Sequence, residues 1–545
     1  MRRSHFCSPL VSLFALSLGA AVFASCVRGP PKVPGLDDAV RAVGEDAYVS
    51  GRPLRLERLA VLEDRDFIYG IGLSPQADRA VHTRLAGKTM NAMLWTLGAV
   101  VPEGPFATLV ADVALNDYEF DVEGVDFSPD GSHFVTAGRD GAVRAFSGRD
   151  AKLVKEWQGD ERLVTVAFTA DGKNVVAGSQ DGLLSVLSWP ALELQSELRA
   201  HRDEVRSVAA VADGRMVTGS WDKTVAVFTV EARPLSTKEA RLTVKQTPDK
   251  VAIVRAGLEG KAGVFTLDAG LPAVVVTAEF AQAAGIQPAL LTETIRVRTQ
   301  ESKLARGKTL TLKQFRVEGV DVAVCDACVP KGAQGVLGAP LFERFDISQA
   351  VGSPDMVFVR KEVPGETAPA MPDVPTLVEQ KRFAFEPHVN DVSVDREGTR
   401  LGVAFSADKS ERNRDVYQRE KRKEPAPESP LDYAAIVALE TGKVLASWPG
   451  VHRGVISTAG ISPDGRSLVS GGWDNRMHLF VEGEPQPVHT EKFGWILRRV
   501  RFSRDGRVIA AGAWTPQNAV GDNRSDPSAV IYEVAYREAE VVAGP

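Results

Sequence analysis

One short turn returns along most of this chain, and its spacing limits what the chain can fold into. Ser128-Pro129-Asp130-Gly131 recurs as Thr169-Ala170-Asp171-Gly172, Ala212-Asp213-Gly214, Ser462-Pro463-Asp464-Gly465 and Ser503-Arg504-Asp505-Gly506. The glycines at 131, 172 and 214 are 41 and 42 residues apart, and those at 465 and 506 are again 41 apart. Val125 and Phe127 alternate with Asp126 and Ser128 before one turn, and Val500 and Phe502 with Arg501 and Ser503 before another. Alternation of this kind marks a strand with one buried face. A second turn follows four of these five turns a short strand-length later, at Asp140-Gly141, Asp181-Gly182, Asp222-Lys223 and Asp474-Asn475, and leads into further apolar runs at 142–146, 183–187, 224–228 and 476–480. Several short strands per repeat of this length predict the blades of a propeller, in which closing the ring protects most sheet edges.

These stretches resemble WD40 repeats, most closely over residues 201–228. In that family a loop histidine, a strand Ser or Thr and a turn aspartate form a buried hydrogen-bond chain that ends on a tryptophan. The resemblance assigns structural roles to His201, Thr218 and Asp222, and in a second blade to His452, Ser470 and Asp474, with Phe228 and Phe480 in the tryptophan place. Seven blades are expected, at 53–105, 106–155, 156–195, 196–236, 380–446, 447–486 and 487–540. The fifth carries an insertion, residues 408–424, in which 12 of 17 residues are charged and which reads as a solvated loop. The seventh has a polar insertion near 516–527. No charged cluster recurs at a spacing that would converge on the central channel.

The repeat is interrupted. Gly214 and Gly398 lie 184 residues apart where one period would be 42, so a small domain stands between them. Proline-containing segments flank it, at 234–238 and 364–375, and the expected place of insertion is a surface connection after the fourth blade. Within it, Val264-Phe265-Thr266-Leu267-Asp268-Ala269-Gly270 sets an aspartate at the end of an apolar strand. Thr277 is placed to cap a short helix after it. Later come Gly335-Val336-Leu337-Gly338 and a second short helix over 341–345. Together these resemble the retropepsin-like aspartic protease family over most of the insert. The resemblance implies that Asp268 is the catalytic aspartate on a loop with Ala269 and Gly270, and that a working site needs two copies, because two carboxylates must share one proton. Ala269 departs from the Thr or Ser of the family, which removes a hydroxyl that steadies the paired loops. An active peptidase and a degenerate, non-catalytic domain both remain open.

The fold expected is therefore all-β: a seven-bladed WD40-like propeller (residues 53–236 and 381–545) interrupted by a retropepsin-like β-barrel domain (237–362) and a Pro-rich linker (363–380). Residues 1–26 have the layout of a secretory signal, with Arg2 and Arg3 before an apolar run too short to span a membrane comfortably. Phe23-Ala24-Ser25-Cys26 resembles a bacterial lipobox, which implies lipidation of Cys26, a tether over 27–52 and a periplasmic or outer-membrane location; a plain signal peptide cut near Ala24 is the alternative. Cys325-Asp326-Ala327-Cys328 is half a metal site without a second half, so a disulfide is expected in an oxidising compartment, with a redox-active pair as the other option. The net charge of −6 argues against nucleic acid as a partner. No metal-ligand spacing, phosphate loop or nucleophile motif appears, so neither cofactor nor metal is expected. The expected partners are a protein or peptide on the propeller, the membrane through the lipid anchor, and a second copy of the insert.

Overall fold

The computed structural model describes residues 47–62, 67–86, 89–97, 101–108, 122–159, 161–247, 249–351, 353–362, 371–407, 431–494, 496–514 and 529–543. Cys26, the leader and the two insertions at 408–424 and 516–527 lie outside them. Seven four-stranded antiparallel sheets are present, together with a three-stranded and an eight-stranded sheet that belong to the insert. The seven sheets are the blades. Their inner strands begin at Phe67, Val122, Leu163, Val205, His388, Ile456 and Ile496.

The recurring turn joins the inner strand of a blade to the next strand out. Ser128 Oγ donates to Asp130 Oδ1 at 2.6 Å, and Gly131 N donates to the Ser128 carbonyl at 2.8 Å. The same pairing of hydroxyl and aspartate returns at Thr169–Asp171, Ser462–Asp464 and Ser503–Asp505. Gly131 has φ +70°, the left-handed region that glycine enters without penalty. In the first blade Ala77 takes φ +53° at the same place, which is why that repeat is hard to read in the sequence.

Two expected boundaries are corrected. Residues 47–52 are no tether: strand Ala47–Leu62 pairs antiparallel with strand Ala529–Ala543, from Ala47↔Ala543 to Leu62↔Ala529. It forms the outer strand of the seventh blade, so the first blade starts at Phe67 and the two ends of the fold close the ring together. The second correction concerns the insertion point. Strand Asp373–Ala384 is the outer strand of the fourth blade, paired with Thr224–Pro234 from Thr224↔Ala384 to Pro234↔Asp373. The insert therefore interrupts a blade between its third and fourth strands. The long antiparallel ribbon forms a stalk whose register is set by continuous pairing.

The central channel is also unlike the expectation, because charges do converge there. Each inner strand has a register shift close to its start, at its second or third residue, placing Tyr69, Glu123, Val164, Arg206, Asn390, Ser457 and Arg498 at one level. A bulge re-aims the extra side chain. Glu123 meets Arg139 at 3.0 Å, Arg206 at 3.2 Å and Arg498 at 3.3 Å. A level below, Asp391 is clamped by Arg501 at 2.6 Å and Arg499 at 3.1 Å. Burial alone would raise the Glu123 and Asp391 carboxyls, but the arginines hold both well below the usual range. Side chains also staple neighbouring blades. Phe168 N donates to Asp126 Oδ2 at 2.8 Å, Ala459 N to Asp391 Oδ2 at 3.1 Å and Val500 N to Thr458 Oγ1 at 3.1 Å. These bonds satisfy inner-edge amides that no strand covers.

The insert has its own core, built on Phe265, Phe280, Leu310, Phe315, Leu337, Leu341 and Phe358. Six of its strands close into a barrel, because Ala252–Leu258 pairs both with Lys261–Leu267 and, through Gly257↔Thr311 and Leu258↔Leu310, with Gln300–Leu312. Strands Glu239–Thr243, Asp355–Arg360 and Phe345–Gln349 form the small sheet beside it. The insert docks on the outer strand of the third blade through both its small sheet and its barrel. Arg199 grips Asp355 with two bonds of 2.7 and 2.8 Å, and Lys313 meets Glu197 at 2.8 Å. Among the described residues no helix is long and apolar enough to cross a membrane.

Candidate active site in the inserted domain

The apolar run 264–267 forms the end of strand Lys261–Leu267 and delivers Asp268 to a turn. Segment Gly335–Leu337 runs parallel beside that strand, with Phe265↔Gly335 and Leu267↔Leu337. It also pairs antiparallel with Val274–Val276, so it threads between the two arms of the Asp268 loop. This explains the two glycines. A Cβ at Gly335 would lie 2.6 Å from Phe265 Cε1 and from the Val275 carbonyl, and one at Gly338 would lie 2.1 Å from the Ala273 carbonyl. The loop is then fixed by backbone bonds: Asp268 N to the Leu337 carbonyl at 3.1 Å, Leu271 N to the Asp268 carbonyl at 3.1 Å, and Ala339 N to the Leu271 carbonyl at 2.7 Å. Helix Ala278–Ala283 follows, capped by Thr277, whose Oγ1 accepts from Phe280 N at 3.2 Å. The second helix, Ala339–Arg344, starts two residues earlier than the sequence suggested.

Asp268 is not covered by the propeller. Its side chain is 37% exposed, and Ala269 and Gly270 are exposed beside it. Gly270 N donates to Oδ1 at 3.0 Å. Arg298 Nη2 donates to Oδ2 at 2.9 Å. The Arg298 guanidinium, then the Gly270 amide, hold the carboxyl below its ordinary value, so the free chain carries an ionised aspartate. Sequence reasoning missed Arg298. It sits at the two-residue tip of the hairpin formed by Thr294–Val297 and Gln300–Leu312, where Val297 pairs with Gln300. No Asn-Gly or Asp-Gly marks that tip, and Arg298 itself takes φ +53°, which a non-glycine residue seldom adopts.

Cys325 and Cys328 are joined by a disulfide, with Cα atoms 5.3 Å apart. It lies in a small buried cluster with Leu271, Ala273, Val275, Val297 and Val336. One cluster thus supports both the loop that carries Asp268 and the hairpin that carries Arg298.

In the propeller, His201 Nε2 lies 2.7 Å from Thr218 Oγ1, and its Nδ1 lies 3.0 Å from Asp222 Oδ2. His452 repeats this with Ser470 at 2.6 Å and Asp474 at 3.0 Å. Phe228 and Phe480 are fully buried core residues outside these chains. His478, Asp474 and His452 bring three donor groups within 4.8 Å of one another, the one such group that could hold a metal ion among the described residues. Both ring nitrogens of His452 are already spent on Asp474 and Ser470, so the arrangement serves the blade rather than an ion.

Comparison with known proteins agrees with this division. Residues 254–341 match the family model described as aspartyl protease. Residues 114–147, 192–229 and 442–480 match the WD domain, G-beta repeat. A stretch of 68 residues is 32% identical to eukaryotic translation initiation factor 3 subunit I of Phaeosphaeria nodorum, over 12% of this chain and 20% of that relative. The chain thus spans about a fifth of that relative's length. The protein carries WD40 repeats in a propeller and, spliced into the fourth blade, a retropepsin-like aspartyl-protease domain.

Proposed function

We propose that the protein is an aspartic-type endopeptidase whose site forms when two copies bring their Asp268 loops together, with the propeller selecting or holding the protein substrate. One Asp268 carboxylate would take a proton from water as the water oxygen bonds to the scissile carbonyl carbon. The other, protonated, would donate to the carbonyl oxygen; the proton taken from water would then pass to the leaving nitrogen as the C–N bond breaks, and the carbonyl oxygen would return its proton to the second aspartate as the C=O bond re-forms. The observation that carries this reading is the open face of the Asp268–Gly270 loop, which the propeller leaves free for another molecule. Lipid anchoring at Cys26 belongs to the same reading. It would hold copies in one plane and favour their encounter.

A second reading, a protein-binding scaffold with a degenerate protease domain, is favoured by Ala269, which lacks the hydroxyl that would tie two loops together. Cleavage of an unfolded protein substrate at mildly acidic pH by the full chain, compared with Asp268→Asn, separates the two. Activity lost in the variant supports the peptidase. Equal activity in both, or none in either, leaves the scaffold.

A further inference from the structure

The ion pair at the Asp268 loop identifies the kind of peptide the site would hold. Arg298 is the charged group that bears on Asp268, and it reaches the carboxylate from the tip of a hairpin. The two partners are differently mounted. Asp268 stands on a loop fixed by backbone bonds to Leu337 and Ala339. Arg298 stands at the end of a hairpin whose buried Val297 rests on Leu271 and the Cys325–Cys328 disulfide, while the guanidinium remains 55% exposed. Only Nη2 of its fork is engaged with the aspartate. A guanidinium has five N–H donors in a plane and matches a carboxylate with two of them, so the single Nη2 bond to Asp268 leaves most of that capacity unspent on the aspartate. Arg296, exposed two residues earlier on the same hairpin, adds positive charge.

An Asp268 that is to share a proton with a second copy cannot stay bound to this cation, because the guanidinium stabilises the ionised form. Arg298 must then have somewhere else to go. A peptide lying between the loop and the hairpin offers it another carboxylate. We propose that Arg298 is the anchor for an acidic side chain of the bound peptide, and that in the free chain Asp268 occupies this anchor in the peptide's place. The exchange is one carboxylate for another on the same guanidinium. It couples the arrival of an acidic peptide to the release of the aspartate. This inference rests on reading the Asp268 loop as the floor of a peptide cleft.

The exchange has a consequence that a merely structural ion pair would not produce: removing the Asp268 charge should strengthen binding of an acidic peptide. The experiment measures fluorescence polarisation of a labelled aliphatic hexapeptide carrying one glutamate, and of its glutamine counterpart, against the full-length parent, Asp268→Asn and Arg298→Ala. The expected pattern is tighter binding of the glutamate peptide by the parent and about threefold tighter binding still by Asp268→Asn, the size of an exposed ion pair released. Arg298→Ala should lose about tenfold of the affinity for the glutamate peptide and none for the glutamine peptide. Equal affinities of Asp268→Asn for the two peptides, no binding of either, or a preference that survives in Arg298→Ala would overturn the proposal. Incubation of the same peptides with parent at mildly acidic pH separates this from the peptidase reading. The expected binding pattern without Asp268-dependent cleavage removes the peptidase and leaves the anchor. Asp268-dependent cleavage at equal rates for both peptides removes the anchor and leaves the peptidase.

Discussion

Asp391 in the propeller channel and Asp268 in the insert are both aspartates held by arginine, and almost everything around them differs. Asp391 has 0% exposure and takes bonds from Arg499, Arg501, Thr458 and the Ala459 amide, tying three blades at once. Asp268 is 37% exposed and takes one bond from a guanidinium that is itself 55% exposed, and one from its own loop. A charge taken fully out of water survives only if every lone pair is answered, and it then becomes part of the framework. A charge left at the surface with one loose partner contributes little to stability and stays available for exchange. The two sites differ in what their carboxylates are free to do.

That difference can be broken by substitution. Asp391→Ala leaves two arginines facing each other in a buried channel and should cost about 3–5 kcal/mol, seen as a large fall in the denaturation midpoint or as insoluble protein. Asp268→Ala should change stability by no more than about 0.5 kcal/mol on the same measurement. Comparable losses at both positions would refute the contrast. Gly338→Ala should act next most strongly, and only on the insert. The added Cβ meets the Ala273 carbonyl, backbone that cannot turn aside. Limited proteolysis should then degrade residues 237–362 while the two parts of the propeller stay paired; a propeller lost with the insert would show that the domains do not fold separately.

A pH-dependent effect sharpens the account of the channel. Asp126 is half-buried at the channel wall, and its carboxyl is pushed up to about 7, chiefly by burial, while the Phe168 amide and Arg501 oppose the shift. An acid with a raised folded-state pKa binds its proton more tightly when folded, so stability falls as pH rises from the unfolded value near 4 toward 7. Asp126→Asn keeps the acceptor for Phe168 N and removes the titration. It should match the parent at pH 4 and melt a few degrees higher at pH 8. Glu123 and Asp391 have the opposite sign: their lowered values keep their contribution intact above the unfolded pKa, and it is lost only as pH falls below about 4. A stability difference between Asp126→Asn and parent that is constant with pH would show that Asp126 is an ordinary surface acid.

Much of this was legible in the sequence, for identifiable reasons. The turn at Ser128–Gly131 repeats because its hydroxyl, carboxylate and left-handed residue each perform a bond or an angle that the same connection needs in other blades. The insert was legible from a broken period, and its loop from two glycines that a close approach demands. Other features left no local trace. Strand Ala47–Leu62 completes a sheet with residues at the other end of the chain and carries no turn motif of its own. Strand Asp373–Ala384 contains Pro375, which an outer edge tolerates and a sequence pattern reads as linker. The channel ring was hidden because the bulge position repeats in space while its residue changes from Tyr69 to Glu123, Val164, Arg206, Asn390, Ser457 and Arg498. Arg298 was hidden because its partner lies thirty residues away across a barrel that only the fold closes.

The central claim is that one catalytic centre takes an aspartate from each of two chains. It is tested most directly by mixing parent with increasing amounts of Asp268→Asn under conditions that let copies exchange, and following peptide cleavage at constant total protein. If the site is shared, active pairs fall as the square of the parent fraction, and an equal mixture retains about one quarter of the activity. Activity that falls only in proportion to the parent fraction, leaving half in the equal mixture, would mean that a single chain suffices and would contradict the account.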